Sequence, residues 1–280
     1  METSPRERFA ALAQSPDAQM DVALGALLVA AEAYPRLDIA ASLAELDALA
    51  QAALPLLRSA TTPQARVQAL LHFVAAQGFR GNRDDYYDPR NSFLNEVLVR
   101  RTGIPITLAL VCTEIARRID LPVYGVSFPG HFLVKYVEND EAGRACEIVA
   151  DPFSGVTLSE DDVRERFKIA MGSAARFDAR WLRVATPREI LVRLLGNLKQ
   201  IYVQREEPEH ALGCCDRILL LVPDAPLELR DRGLVYQQLE CFGAALSDLE
   251  RFLSLAPQDP SADAIRDTLV ELRALAARVN

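Results

Sequence analysis

Between Tyr202 and Pro257 the chain repeats itself at a spacing of 34 residues. Tyr202 and Tyr236 form one matched pair; Ala211 with Ala245, Leu212 with Leu246, Leu221 with Leu255 and Pro223 with Pro257 are the others. A tyrosine, then an alanine, then a helix-ending proline at that period predicts stacked helix hairpins. One hairpin cannot bury its apolar face alone, so its neighbours must supply the core. The Asp224-Ala225-Pro226 and Asp259-Pro260 turns fall where units would join, and residues 261–279 predict a terminal solvating helix. An ordinary helical bundle leaves the five matched positions unexplained.

Upstream of about residue 185 the pattern is different. Residues 6–80 are rich in Ala and Leu, with helical spacing over about 17–33, 39–58 and 63–77, punctuated by Pro35 and by Thr61-Thr62-Pro63. A polar loop follows over 79–91, then a short helix over 92–101 that stops at Thr102-Gly103. Pro105 suits a first helical turn, and 106–119 has the apolar spacing of a buried helix. Strands are expected over 123–128, 132–137 and 145–150, with a turn at Asn139-Asp140-Glu141. A helix over 158–167 follows, with Ser159 as its N-cap. The expected fold is α+β over residues 1–182, helical at its start with a small antiparallel sheet at its end, then an all-α repeat domain over 183–280.

Charge and composition exclude several functions. The net charge of −8 argues against a nucleic-acid surface, and the Arg100-Arg101 and Arg117-Arg118 pairs read as solvated helix faces. Residues 22–33 are apolar but too short to span a bilayer, and Met1-Glu2-Thr3-Ser4-Pro5 lacks a basic-then-apolar signal pattern. No membrane association is therefore expected. The five cysteines include no CxxC pair, which suits reduced thiols in a cytoplasmic protein. No ligand spacing for a metal and no glycine-rich phosphate loop is present, so no metal and no cofactor is expected.

The chemistry centres on one of three histidines. His72 reads as structural on its helix and His210 as solvated, whereas His131 sits in the turn Pro129-Gly130-His131-Phe132 and opens a strand. The run Glu147-Ile148-Val149-Ala150 closes at Asp151, so adjacent strands can bring imidazole and carboxylate together. A carboxylate there would fix the tautomer of the ring, as a general base requires. Trp181, the only tryptophan, is expected to pack where the two domains meet, and Cys214-Cys215 reads as packing within a repeat helix.

Together these residues resemble the SirB family of bacterial proteins, which joins a transglutaminase-like, papain-type domain to tetratricopeptide repeats. The resemblance rests on Tyr34-Pro35-Arg36-Leu37-Asp38-Ile39, on 88–98 (Asp-Pro-Arg-Asn-Ser-Phe-Leu-Asn-Glu-Val-Leu), on Gly103-Ile104-Pro105-Ile106-Thr107-Leu108, on Pro129-Gly130-His131-Phe132-Leu133-Val134 and on Asp151-Pro152-Phe153. In an active domain of this superfamily, Cys stands at the start of the central helix, followed by His on one strand and Asp on the next. The resemblance places His131 and Asp151 in the latter two roles. Counting back from Asp120-Leu121-Pro122 puts Ile106 or Thr107 where the cysteine would stand, with Cys112 over a turn too far into the helix.

Thr107 therefore has two readings: a nucleophile with His131 as base, or a first-turn residue whose hydroxyl bonds the backbone. Asn91, Asn95, Glu96 and Cys112 are candidates to line the same cleft, with the two asparagines and Glu96 equally suited to tying their own segment together. With no cysteine at the expected position, the chain reads as a non-catalytic or weakly catalytic protein that binds a protein or peptide partner through its cleft and repeats, and the resemblance implies a regulatory or accessory role. The alternative is an amide or peptide hydrolase, or an acyltransferase, using Thr107 or Cys112 with His131 and Asp151. The oligomeric state is left open.

Overall fold

A computed structural model describes residues 3–139 and 145–279. The expected turn at Asn139-Asp140-Glu141 falls largely outside the described residues, although the preceding strand runs through Asn139. The chain folds as two compact units, Met1–Leu194 and Leu195–Asn280.

The first unit opens with four helices: α1 (Pro5–Ala13), α2 (Val22–Ala33), α3 (Ile39–Ser59) and α4 (Pro63–Ala76). Each has a polar N-cap accepting from an N3 amide: Ser4, Asp21, Asp38 and Thr62. By length and composition α3 could cross a membrane. Its Leu46, Leu49, Ala50, Ala53 and Leu57 are buried, while Glu45 and Asp47 pair with Arg101 and Arg118. That pattern is an amphipathic helix covering a protein core.

Next come β1 (Arg80–Gly81), α5 (Leu94–Arg100), β2 (Thr102–Gly103) and α6 (Pro105–Arg118). β1 and β2 form a two-residue parallel ladder pairing Arg80 with Thr102 and Gly81 with Gly103. So short a pairing has no periodicity, which is why residues 79–91 read as loop in the sequence. α6 is the buried axis of the unit, with eleven buried residues that include Thr107, Cys112 and Glu114.

The sheet is antiparallel in the order β3 (Val123–Val126), β4 (Leu133–Asn139), β5 (Ala145–Asp151), β6 (Val156–Leu158). Alternation along β4 sorts its side chains. Leu133 joins a cluster with Val163 and Phe167 of α7 (Glu160–Met171), and the Lys135 ammonium donates to the Leu182 carbonyl. Tyr136, on the other face, meets Arg66 of α4. Ser159 caps α7 as expected, but Leu158 ends β6 and does not begin the helix. Trp181 packs on the Phe128–Phe167 cluster within this first unit.

The second unit holds most of α8 (Pro187–Gln204), then α9 (Pro208–Leu221), α10 (Pro226–Gln238), α11 (Phe242–Leu255) and α12 (Ala262–Val279). The division at Leu194 falls inside α8, not in the turn before it. The reason is packing: a Cβ added to Gly25 of α2 would lie 2.7 Å from Leu191 Cδ1, so the start of α8 is pressed against the helices of the first unit.

The 34-residue period recurs in backbone geometry. Glu206 and Glu240 both adopt left-handed φ, 57° and 55°. Just after them, the Glu207 and Cys241 amides donate to the carbonyls of Tyr202 and Tyr236, each at 2.9 Å. These helix ends are the same turn built twice. Leu229, Ala245, Leu249, Phe252, Ile265, Leu269 and Leu272 form the stacked core, and Gly233 lets Leu249 approach.

Candidate functional site

The turn before β4 is set by Gly130, whose φ of +67° is the left-handed region where glycine carries no penalty. The His131 amide donates to the Phe128 carbonyl at 3.1 Å and closes that turn. Val134 pairs with Ala150, so the start of β4 lies beside the end of β5. His131 Nε2 consequently lies 2.9 Å from Asp151 Oδ1.

Asp151 has no exposed surface and is held from three further directions. The Phe153 amide donates to Oδ1 at 3.0 Å, Arg166 Nη1 of α7 lies 2.9 Å from Oδ2, and the Ser154 hydroxyl also bonds the carboxylate. Burial pushes this carboxyl up, but His131, Ser154 and Arg166 together outweigh burial and hold its pKa at about 2. An ionised carboxylate at Nε2 places the ring proton there and leaves Nδ1 as the acceptor.

The imidazole is one-fifth exposed, and its surroundings are aromatic and cationic. The Phe153 ring meets it edge to face, with centroids 6.0 Å apart. The Arg83 guanidinium lies 5.6 Å over Phe153, and the half-exposed Tyr86 ring is 6.5 Å from the same phenyl. Beneath Phe153 only glycine fits, because a Cβ on Gly81 would lie 2.5 Å from Phe153 Cε2.

Gly81 pairs with Gly103, and Gly103 in turn abuts Thr107, so neighbouring residues link His131 to the start of α6. The Thr107 hydroxyl is nevertheless committed to backbone. It accepts from the Ile104 amide at 3.0 Å and donates to the Asn91 carbonyl at 2.8 Å. Thr107 is fully buried. This is the local hydrogen-bonding use that threonine makes of a helix start.

Cys112 is not brought to the site. It has no exposed surface, and burial pushes its thiol up to about 12. Asn91 is also fully buried, with Nδ2 donating to the carbonyls of Asp85 (2.7 Å) and Tyr86 (3.3 Å) and Oδ1 accepting from Asn82 Nδ2 (3.1 Å). Asn91 thus ties down the loop that carries Arg83 and Tyr86. Asn95 is buried with Oδ1 unpartnered, and Glu96 is half-buried and hydrogen-bonded to Tyr34. Sequence reasoning missed Arg166 and Arg83, because nothing in the spacing of α7 or of a polar loop marks an arginine that reaches a distant carboxylate. His72 is exposed on α4, a surface residue and not part of the packing of that helix. His210 is exposed as expected, stacked on Tyr202.

The fold and this His–Asp arrangement define a transglutaminase-like domain followed by tetratricopeptide repeats. The sequence pattern of the transglutaminase-like superfamily matches residues 40–196, and that of the tetratricopeptide repeat matches 198–269. The chain is 41% identical over 270 residues to a UPF0162 protein of Xylella fastidiosa, covering 93% of each. It is 38% identical to a UPF0162 protein of Pseudomonas aeruginosa, covering 89% of this chain and 88% of that one. To protein SirB1 of Salmonella typhimurium it is 32% identical over 233 residues, covering 83% and 84%. The chain belongs to the SirB1/UPF0162 family. No solved structure matches it.

Proposed function

We propose that this chain is a non-catalytic, or at most weakly catalytic, transglutaminase-like accessory protein of the cytoplasm. It binds protein or peptide partners through the surface around His131 and through its repeats. One observation carries this reading: the Thr107 hydroxyl, at the position where the superfamily's nucleophile would stand, is buried and spent on Ile104 and Asn91. A His–Asp pair without a side-chain nucleophile beside it can orient a bound polar group but cannot form a covalent acyl-enzyme. Stacked helix hairpins supply extended surfaces suited to partner segments, which supports the binding half of the proposal.

The test is turnover by the full chain of fluorogenic amide and ester substrates, and of a glutamine peptide with an amine acceptor. The reading expects none above a heat-denatured control, and no difference on His131→Ala. Turnover that His131→Ala abolishes without lowering stability would overturn it.

The intact His131–Asp151 pair favours a second reading, a hydrolase or acyltransferase on amide bonds with Thr107 or Cys112 as nucleophile. For Thr107 that requires the hydroxyl to leave its two backbone partners before it can reach His131. Turnover lost in Thr107→Ala but kept in Cys112→Ala would assign the role to Thr107.

A further inference from the structure

The far end of α6 lines a cavity of about 520 Å³ that the His131 site does not use. Leu110, Val123 and Ile190 give it apolar walls, and Glu114, Arg117 and Asp120 bring charge to it. The segment before α8 forms one side, pinned where the Ala185 amide donates to the Gly125 carbonyl at 2.8 Å. An adjoining hollow of about 500 Å³ shares Glu114 and Arg117 and adds Asp17 and Asp21. Cavities of about 300–1,000 Å³ are the usual size for small-ligand sites.

Glu114 is the informative group, with only 4% of its surface exposed. Arg117 Nη2 donates to its Oε2 at 2.9 Å and Arg118 donates to the same oxygen. None of the described hydrogen bonds reaches Oε1, and that atom is not among the fully enclosed unpartnered ones. Glu114 lines both hollows. A buried carboxylate oxygen in that position asks for a donor.

The surrounding charge says which kind. Asp17, Asp21, Asp47, Glu114 and Asp120 stand against Arg117, Arg118 and Arg188. Arg117 is held by Glu114 and lies 3.7 Å from Asp21, and Arg188 is held by Asp17, so the excess is negative.

We propose that this cavity binds a protonated primary amine on an apolar chain, either a lysine side chain or a free alkylamine. The ammonium donates to Glu114 Oε1 and the chain lies on Leu110, Val123 and Ile190. The proposal stands apart from the reading of the His131 site, since His131, Asp151 and Phe153 do not line the cavity.

Calorimetric titration of the full chain with hexylamine, hexanol and hexanoate tests it. Hexylamine should bind saturably at millimolar concentration, hexanol more weakly and hexanoate weakest. Glu114→Gln leaves Arg117 and Arg118 short of a partner and risks unfolding, so the decisive variant is Asp21→Asn with Asp120→Asn. Asparagine keeps the cap that Asp21 gives α2 and tolerates the φ of +54° at Asp120. Affinity for hexylamine should fall roughly tenfold in this variant, with hexanol unchanged. No saturable hexylamine binding, equal binding of hexanoate, or an unchanged double variant would each overturn the proposal. A lysine-containing peptide binding more tightly than hexylamine assigns the source to a protein partner, and the reverse order assigns it to a free amine.

Discussion

His131 Nε2 and Asp151 Oδ1 are 2.9 Å apart across the ends of two antiparallel strands, and the carboxylate of that pair is completely buried. A buried carboxylate is costly unless it is paired and hydrogen-bonded. The Phe153 amide and the Ser154 hydroxyl hydrogen-bond it, and the Arg166 guanidinium, 2.9 Å from Oδ2, forms an ion pair that compensates its charge.

Asp151, with its pKa held at about 2, stabilises the folded chain in its ionised form. The folded value lies below the unfolded one, so this contribution is present above about pH 4 and is lost as pH falls toward 2. Asp151→Asn should cost about 2 kcal/mol at pH 7. The gap between wild type and variant, followed by denaturant unfolding, should close between about pH 4 and pH 2.

Thr107→Val keeps the shape of the side chain but removes the hydroxyl between Ile104 and Asn91. Two buried backbone groups then lose a partner, at a cost of about 1–3 kcal/mol. Thr107→Ser should lose far less. Equal stability of the valine and serine variants in chemical denaturation would contradict the capping role.

Four of the five cysteines should separate by accessibility, Cys146 being intermediate. Cys241 is exposed and should react with a thiol reagent in the folded chain, whereas Cys112, Cys214 and Cys215 are buried with raised pKa values. Peptide mapping after brief labelling should find those three modified only when denaturant is present. Rapid labelling of Cys112 in the native chain would revive it as a candidate nucleophile.

Gly81→Ala should disturb the histidine through one intervening ring. Its Cβ would displace Phe153, whose ring packs on His131. A cost of about 1–3 kcal/mol is expected from such overpacking, together with altered His131 ring resonances in NMR spectra.

In the repeats, Gly233→Ala would place a Cβ 2.7 Å from Leu249. It should destabilise the second unit by about 1–3 kcal/mol and leave the His131 resonances unmoved. Loss of both together would show that the units do not respond separately.

The sequence by itself determined the repeats, because a 34-residue period from Tyr202 to Pro257 has few other folded solutions, and the two left-handed turns at Glu206 and Glu240 are its physical expression. It also determined the buried helix and the strands around it, through apolar spacing and through Gly130 and Pro105 at positions their backbones favour. His131 and Asp151 were legible as a pair because Asp151 ends one expected strand and His131 was read as opening the one before it; in the structure His131 lies in the turn two residues ahead of β4, which still sets it beside the end of β5. Tertiary structure alone decided what surrounds them. Arg166 reaches Asp151 from another element, Gly81 meets Gly103 through two residues of ladder, and the Asn91 carbonyl accepts the Thr107 hydroxyl proton in a hydrogen bond. Each of these joins distant segments and is set by how the helices pack, and a local pattern carries no record of which distant atom a side chain will meet.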